Sequence, residues 1–378
     1  MYSYIQAIKQ ALIYFPILAI IFTIPYIIYN YKKYGSILSL RAWIIYSFIL
    51  YLLCVYCLVI LPLPTPEKAL ELTAYRTQLI PFNFMADIIK HAHIQISNPK
   101  SYLGLINNWA FLTTIFNIFM TLPFGFYLKY YFQNTLKSTL IKTFLLSLFF
   151  ELTQLSGLYF IYRANYRLFD VDDLITNTLG GLIGFLLATF LSRFLPSRTE
   201  IDQKSYSRSQ KVSLLRRLVA MGFDTVGVTI FGLLFSQFFF KSFNFLTFPV
   251  LTISYLTISA VIFKGRTFGF LMTNLKITSI DDPNNNPVKW YQYLLRFIYF
   301  FVQFAFIPLL IIQLVILSIE NISLNEESAV IIIFISGLLY LFYLGVMSIF
   351  VALHKPLAYE KFSKTQLENT LTKKVPKR

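Results

Sequence analysis

The chain has 378 residues, of which 57% are hydrophobic, 18% aromatic and only 13% charged. This composition provides more apolar surface than one soluble core can bury, which excludes an ordinary soluble domain. The net charge is +16, a balance that would suggest nucleic acid in a soluble protein. No basic patch is interleaved with stacking aromatic residues outside the apolar blocks, so we predict no nucleic-acid partner.

Nine apolar blocks follow one another along the chain, each close to the 20 or so residues that a helix needs to cross a bilayer. They lie at residues 11–29, 43–61, 109–128, 140–160, 172–195, 214–240, 245–263, 294–319 and 329–353. The first block contains Pro16 and Pro25 and lacks a small-residue cleavage site, so we expect it to be retained. The pattern predicts an all-α integral membrane protein with about nine transmembrane helices in two bundles, five plus four.

The lysines and arginines are distributed unevenly between alternate loops. If the N-terminus is outside, 25 of the 33 basic residues lie in cytoplasmic segments and 8 lie outside. Cytoplasmic loops of membrane proteins carry such an excess, and the basic side chains there meet anionic lipid of the inner leaflet. We therefore predict a multi-pass protein of the bacterial cell membrane, with its N-terminus outside and its C-terminus in the cytoplasm.

A polar stretch without an apolar run, PSRTEIDQKSYSRSQK, separates the fifth block from the sixth. Serine-rich, charged segments of this kind are typical of linkers between domains. We predict a five-helix membrane domain at 1–196, a cytoplasmic linker at 197–212, a four-helix membrane domain at 213–358 and a basic cytoplasmic tail at 359–378.

Polar residues recur at helical spacing in the third, fourth and fifth blocks. An ionisable side chain at bilayer depth costs about 3 kcal/mol, so Glu151 is expected to have a function. The extracellular end of this predicted polar site carries Arg163, Arg167, Asp170, Asp172 and Asp173. We expect Arg167 to pair with Asp170 or Asp173 there. The alternative is that these groups only hold the helices together by hydrogen bonds. The candidate ligand-binding residues are Asn117, Glu151, Gln154, Arg167, Asp170, Asp173 and Asn177.

Other chemistry has little support in the sequence. Cys54 and Cys57 form a CxxC pair inside the second block, without a partner pair or a nearby histidine, and are interpreted as small buried side chains. No phosphate loop, serine elbow or zinc-protease motif is present. We predict no metal and no cofactor.

Residues 106–190 resemble the VanZ family of Gram-positive membrane proteins. The resemblance is carried by the runs FNIFMTLPFGFYL, FELTQL and YRLFDVDDLITNTLGG, and by the preceding QLIPFNF at 78–84. It implies a role in low-level resistance to teicoplanin-type glycopeptides, without a biochemical activity. The positions that match the family motifs are Asn117, Pro123, Gly125, Glu151, Gln154, Arg167, Asp170, Asp173, Asn177 and Gly180.

The second half resembles the RDD family of membrane modules, named for an arginine and two aspartates. RRLVAMGFD supplies Arg217 and Asp224, and the family's GxTxGK motif reads GRTFGF, with Phe270 in place of the lysine. The second aspartate has two candidates, Asp281 and Asp282. These two begin the turn-rich break DDPNNNP, which LKITSI and VKWYQY flank. The two short runs and the break together predict a cytoplasmic hairpin.

The leading functional hypothesis is a non-enzymatic envelope role in antibiotic resistance. The outward-facing polar site would bind or reorganise a surface ligand, such as an anionic lipid or a cell-wall precursor headgroup, with membrane lipid as partner. The alternative is a transporter of a small ion or solute that uses Glu151 and Asp224 within the membrane. An enzyme acting on a lipid-linked substrate is the third hypothesis. The oligomeric state is left open.

The predicted topology can be tested with single cysteines in a background without Cys54 and Cys57. Treatment of intact cells with an impermeant thiol reagent should label Lys90→Cys and leave Lys204→Cys unlabelled, because the positive charges would otherwise face the wrong side. Labelling at position 204 on intact cells would invert the topology.

Overall fold

The computed structural model divides the chain into two compact units. The first consists of Met1–Ile24 and Leu38–Asp202, and the second consists of Pro25–Ile37 and Gln203–Arg378. Of the residues that the structure describes, 76% are helical and few are in strands. The residues that the structure describes are 2–72, 74–92, 104–105, 108–239, 247–281, 287–322 and 326–371.

The first unit is built from helices and one minimal two-stranded sheet. Its elements, in chain order, are α1 Tyr2–Tyr34, α2 Ser39–Ile60, α3 Pro66–Leu70, β1 Thr77–Gln78, α4 Asn83–Ala92, α5 Trp109–Tyr130, α6 Leu136–Leu155, α7 Gly157–Phe160, β2 Phe169–Asp170, α8 Val171–Leu191 and α9 Arg198–Ser209. The end of α1 and the end of α9 belong to the second unit. Strands β1 and β2 pair in parallel, with Gln78 opposite Asp170.

Helices α5 and α8 approach each other closely because glycines line their interface. A Cβ atom on Gly184 would meet the backbone oxygen of Leu122, and one on Gly125 would meet that of Gly181, at separations that real Cβ atoms do not show. Backbones come this near only where side chains are absent, which is how small residues promote helix packing in membranes. The interface therefore fixes the register between the polar residues of the two helices.

Helix α6 packs against both α8 and α2. A Cβ on Gly181 of α8 would collide with the side chain of Thr143 on α6. On another face of α6, Phe150 belongs to a buried cluster with Val55 and Val59 of α2. Helix α6 thus places its polar residues between α8 and the end of α2.

The segment predicted to be a linker is mostly the helix α9. Ser197 precedes α9 and accepts a hydrogen bond from the backbone N–H of Glu200 at 3.2 Å, as an N-cap residue does. Asp202 lies 3.2 Å from Arg198 one turn earlier and 2.6 Å from the buried Arg41. Capping and i,i+4 ion pairing favour a helix in this polar, serine-rich segment, whose composition alone predicts a linker.

The described part of the second unit contains seven helices, one π-helical turn and one two-stranded antiparallel sheet. Its elements are α10 Leu214–Phe239, α11 Thr247–Ile262, α12 Phe268–Thr273, β3 Leu275–Ser279, α13 Trp290–Phe301, the π-helix Val302–Phe306, α14 Ile307–Ile322, α15 Glu326–Ala352, α16 Ala358–Phe362 and β4 Thr365–Asn369.

The predicted hairpin between LKITSI and VKWYQY is wrong. Strand β3 pairs instead with β4, antiparallel, with Leu275 opposite Asn369 and Ser279 opposite Thr365. The second run begins α13, where the Gln292 side chain accepts from the backbone N–H of Lys289 at 2.9 Å. That local cap favours helix over strand. The turn residues 282–286, Asp282 included, lie outside the described residues.

Within the described ranges, seven helices are long and apolar enough to cross a membrane. These candidate spans are Ile5–Tyr34, Ser39–Ile60, Trp109–Tyr130, Val171–Leu191, Leu214–Leu234, Trp290–Leu314 and Val330–Ala352. The predicted fourth and seventh spans correspond to α6, whose polar residues lower its hydropathy, and to α11, which has 16 residues. A multi-pass membrane protein is therefore supported, and the count of nine and its division into five plus four stay predictions.

The α5–α8 interface predicts that Gly184→Ala lowers stability by about 1–3 kcal/mol, the usual cost of overpacking a tight contact. Thermal unfolding of the detergent-solubilised protein measures the effect. Gly345→Ala on α15 is the matched control, because nothing lies within 4 Å of its Cβ position. Equal melting temperatures for the two variants would contradict the close approach.

Candidate functional site

The amino end of α8 is held by a carboxylate from α6. Asp170 precedes α8 in an extended conformation, and its side chain accepts from the backbone N–H of Asp172 at 2.8 Å, which caps the helix. The Glu151 carboxylate accepts from the backbone N–H of Asp170 at 3.0 Å and is only 3% exposed. Negative side chains are favoured at this end of a helix by its dipole. Glu151 therefore fixes α6 to the start of α8.

A second network joins α5, α6 and α8 below that point. Asn117 donates to the Asp173 carboxylate at 2.6 Å, and Asn177 donates to the Ser147 hydroxyl at 2.9 Å. Thr121 donates to the backbone oxygen of Asn177 at 2.7 Å. Among the buried side-chain atoms of the described residues, Asn177 Oδ1 has no hydrogen-bond partner. The network thus contains one buried acceptor available to a further donor.

Arg167 does not form the predicted ion pair. Among the salt bridges of the described residues, none joins Arg167 to Asp170 or Asp173. The guanidinium donates instead to the backbone oxygen of Leu61, which ends α2. The last carbonyl groups of a helix lack partners within it and carry partial negative charge, so they attract a cation as a carboxylate would.

Gln154 also turns toward the end of α2. Its side-chain amide donates to the backbone oxygen of Val59 at 3.2 Å, and Tyr166 donates to that of Ile60 at 2.9 Å. The seven predicted residues therefore occupy three adjoining places. Asn117, Asp173 and Asn177 share one network, Glu151 and Asp170 hold the start of α8, and Gln154 and Arg167 bind the carboxyl end of α2.

Asp172 was missing from the candidate residues although it is buried at the same place. Its two carboxylate oxygens accept from the backbone N–H groups of Phe82 at 2.6 Å and Phe84 at 2.9 Å. The QLIPFNF segment thus contacts the DVDD run directly. The presence of both runs in the sequence is the signal from which a role for Asp172 could be predicted. Burial raises the pKa of Asp170, which also faces the carboxylates of Asp172 and Asp87.

In the second unit, Arg217 belongs to a buried charge cluster that sequence reasoning missed. Arg217 donates to Glu360 at 2.8 Å, and Arg296 donates to the same carboxylate oxygen at 3.2 Å. Glu360 is 2% exposed and also accepts from the backbone N–H of Leu357 at 3.1 Å. Nothing in the sequence links Arg217 to Glu360, because each lies on a separate element far from the other along the chain.

Two residues of the GRTFGF run bind the side chain of Asp224. Its carboxylate accepts from the Thr267 hydroxyl at 2.7 Å and from the backbone N–H of Gly269 at 2.7 Å. A Cβ on Gly269 would meet the backbone oxygen of Ala220, so only glycine allows this approach. Asp281 is largely exposed, 4.0 Å from Lys364, and contacts neither Arg217 nor Asp224.

Arg216, the neighbour of the predicted arginine, is the more deeply buried of the two. It donates to the backbone oxygens of Thr273 at 2.8 Å, Asn274 at 2.8 Å and Ser209 at 3.1 Å. Its hydrogen bonds thus go to carbonyl groups and one amide, that of Asn369 at 2.9 Å. Arg216 fastens the amino end of α10 to the chain around β3 and β4. In the described part of the chain, no three His, Cys, Asp or Glu residues are grouped as metal ligands.

Residues 48–192 match the model of the VanZ/LLP1 family, a stretch that contains every candidate residue of the first unit. The match supports the VanZ part of the resemblance and indicates a VanZ-like membrane domain of the cell envelope. Comparison with curated proteins and with solved structures finds no match. The RDD resemblance of the second unit stays a prediction.

The buried cluster around Glu360 predicts a dependence of stability on pH. Burial alone would raise the pKa of Glu360, but Arg296 and Arg217 hold the pKa below its ordinary value. A carboxyl with a lowered pKa stabilises the fold above its unfolded pKa of about 4.3, and the contribution is lost as the pH falls through the lower folded pKa. Removing the charge leaves two buried arginines unpaired.

We expect Glu360→Gln to lower stability at neutral pH by about 3–5 kcal/mol and to flatten the acid dependence. Thermal unfolding between neutral pH and pH 3 measures both effects. Glu368→Gln on β4 is the control, because its carboxylate is bonded to Gln366 and to neither arginine. An unchanged acid dependence in Glu360→Gln would show that this cluster does not govern it.

Proposed function

We propose that the first unit binds or reorganises an anionic or polar cell-surface ligand and thereby contributes to low-level resistance to teicoplanin-type glycopeptides. The observation that carries the proposal is the set of polar groups in the first two turns of α8 and on the segments beside them. Carboxylates of Glu151 and Asp173, amides of Asn117 and Asn177, and the nearby Arg167 all lie within the residues that match the VanZ/LLP1 family.

The chemistry of these groups suits a headgroup that carries both hydroxyl or amine donors and an anion. Asp170 and Asp173 are half-buried and accept hydrogen bonds, whereas Arg167 is half-buried and donates. A guanidinium binds phosphate or carboxylate in a planar, directional way. A lipid headgroup or a cell-wall precursor headgroup presents such a combination, and the positive-inside distribution of charge favours a site that faces outward.

Helix adhesion alone accounts poorly for a carboxylate at this place. Glycine contacts already bring α5 and α8 together, and Asn177 with Ser147 already joins α8 to α6. A buried glutamate adds a larger desolvation cost than an amide that makes the same link. The unpartnered Asn177 Oδ1 further supports a role beyond adhesion.

The transport hypothesis has weaker support. It assigns proton exchange to Glu151 and Asp224, which lie in separate units. Both oxygens of Asp224 hold the loop before α12, through Thr267 and Gly269, so protonation there would release a structural contact. We therefore prefer binding, and we assign the RDD-like second unit no separate activity.

The test compares susceptibility of a deletion strain carrying the normal gene or variants at native expression. Glu151→Gln keeps the shape of the side chain and removes its charge, so teicoplanin susceptibility should rise to that of the deletion strain. Arg167→Ala should act in the same direction. Thr189→Val, an exposed position of the same α8, should retain the normal value.

A parallel lipid-composition assay separates binding from turnover. Ligand retention without a changed product supports the proposal, and a changed product would favour the enzyme hypothesis. Full resistance in Glu151→Gln and Arg167→Ala, with normal membrane levels of both variants, would exclude the polar site as the cause of resistance.

A further inference from the structure

Helix α4 presents large apolar side chains on the side that faces away from the protein, while its partly buried side carries Asn83, Phe84, Asp87 and Ile88. Within α4 the exposed residues recur at helical spacing from Met85 to Lys90, and Phe82, just before the helix, is exposed as well. Phe82, Met85 and Ile89 are the large apolar ones, with 56%, 52% and 70% of their surface exposed. Asn83 and Asp87 are only partly exposed, and Asn83 donates to Asp87 at 3.3 Å. A water-facing helix would have the opposite arrangement.

Both ends of α4 are tied to the amino ends of membrane-spanning helices. At its start, the backbone N–H groups of Phe82 and Phe84 bind the Asp172 carboxylate in the first turn of α8. Near its end, the backbone oxygen of Ile88 accepts at 3.3 Å from Asn108, the residue that caps α5. The candidate spans begin at these caps, so α4 lies at the level where the bilayer meets water.

We propose that α4 is a membrane-interface helix and that Met85 and Ile89, together with Phe82 just before the helix, insert into the lipid on the side where α5 and α8 begin. The exposed apolar side chains of α4 lie beside the amino ends of α5 and α8, where two candidate spans begin, so a lipid surface there would cover them. Lys90 lies on the exposed side as well, where its ammonium group meets lipid phosphate while its stem stays in apolar surroundings.

With α4 in this position, the lipid surface can influence how the residues of the polar site are arranged. The carboxylate of Asp172 binds the start of α4, and Gln78 lies 3.4 Å from both Asp170 and Asp172. Insertion of α4 into lipid therefore holds the segment that covers the aspartates at the start of α8. The lipid surface acts as a structural partner of α4, separate from any ligand of the polar site.

The test places a nitroxide on α4 of the full chain in vesicles of phosphatidylcholine and phosphatidylglycerol. Met85→Cys and Ile89→Cys are labelled singly after Cys54 and Cys57 have been replaced by alanine. Oxygen and a water-soluble nickel complex should report both labels about 5–10 Å below the phosphate level, the usual depth of an interfacial helix. Lys204→Cys, exposed on the polar helix α9, should report water.

Two results would overturn the proposal. The first is water accessibility at positions 85 and 89 equal to that at position 204. The second is spin–spin broadening that disappears on dilution with unlabelled protein, which would assign the face to a second copy of the chain. Neither result depends on the polar site. The depth of α4 is therefore tested separately from the proposed role in glycopeptide resistance, and either proposal can be wrong without the other.

A charged variant provides an independent check. With the label at Ala86→Cys, an exposed position, the double substitution Met85→Glu with Ile89→Glu should move the label into water. Met85→Leu with Ile89→Leu should leave it in lipid. An unchanged depth in the glutamate variant would contradict insertion, and the single-label measurements decide the question if that variant does not accumulate.

Discussion

The close approach of α5 and α8 is the constraint on which the first unit depends. Gly125 and Gly184 leave no room for side chains between the two backbones, so neither helix can slide or rotate without a collision. Asn117 therefore reaches Asp173, and Thr121 reaches the backbone of Asn177. Polar groups within a bilayer need partners, and a rigid helix pair provides them at fixed positions.

The start of α8 connects that pair to the surrounding chain. Asp170 and Asp172 bind two different segments within one helical turn, since Asp170 caps α8 and Asp172 holds the start of α4. Glu151 adds α6 to the same point. Concentrating three carboxylates here is tolerable because each is bonded to backbone N–H groups and the helix dipole favours negative charge at this end.

In the second unit, buried arginines connect separate segments of the chain. Arg217 and Arg296 share Glu360, whereas Arg216 is surrounded by backbone oxygens. Breaking a buried ion pair leaves an uncompensated charge, so such a cluster admits few alternative arrangements. Asp224 fixes the loop before α12 in the same manner, through Thr267 and Gly269.

The sequence by itself determined the helical membrane class and predicted the polar residues of α5, α6 and α8 as candidates. Hydropathy and helical spacing are local properties, and they identified Glu151 and Asn117 without knowledge of their partners. The tertiary structure alone decided that Arg167 binds the end of α2 and that β3 pairs with β4. Only the tertiary structure revealed Glu360 as the partner of Arg217. Backbone acceptors and strands that pair over a long sequence separation produce no periodic signal in the sequence. The partner of a buried charge depends on which residues the fold places beside it.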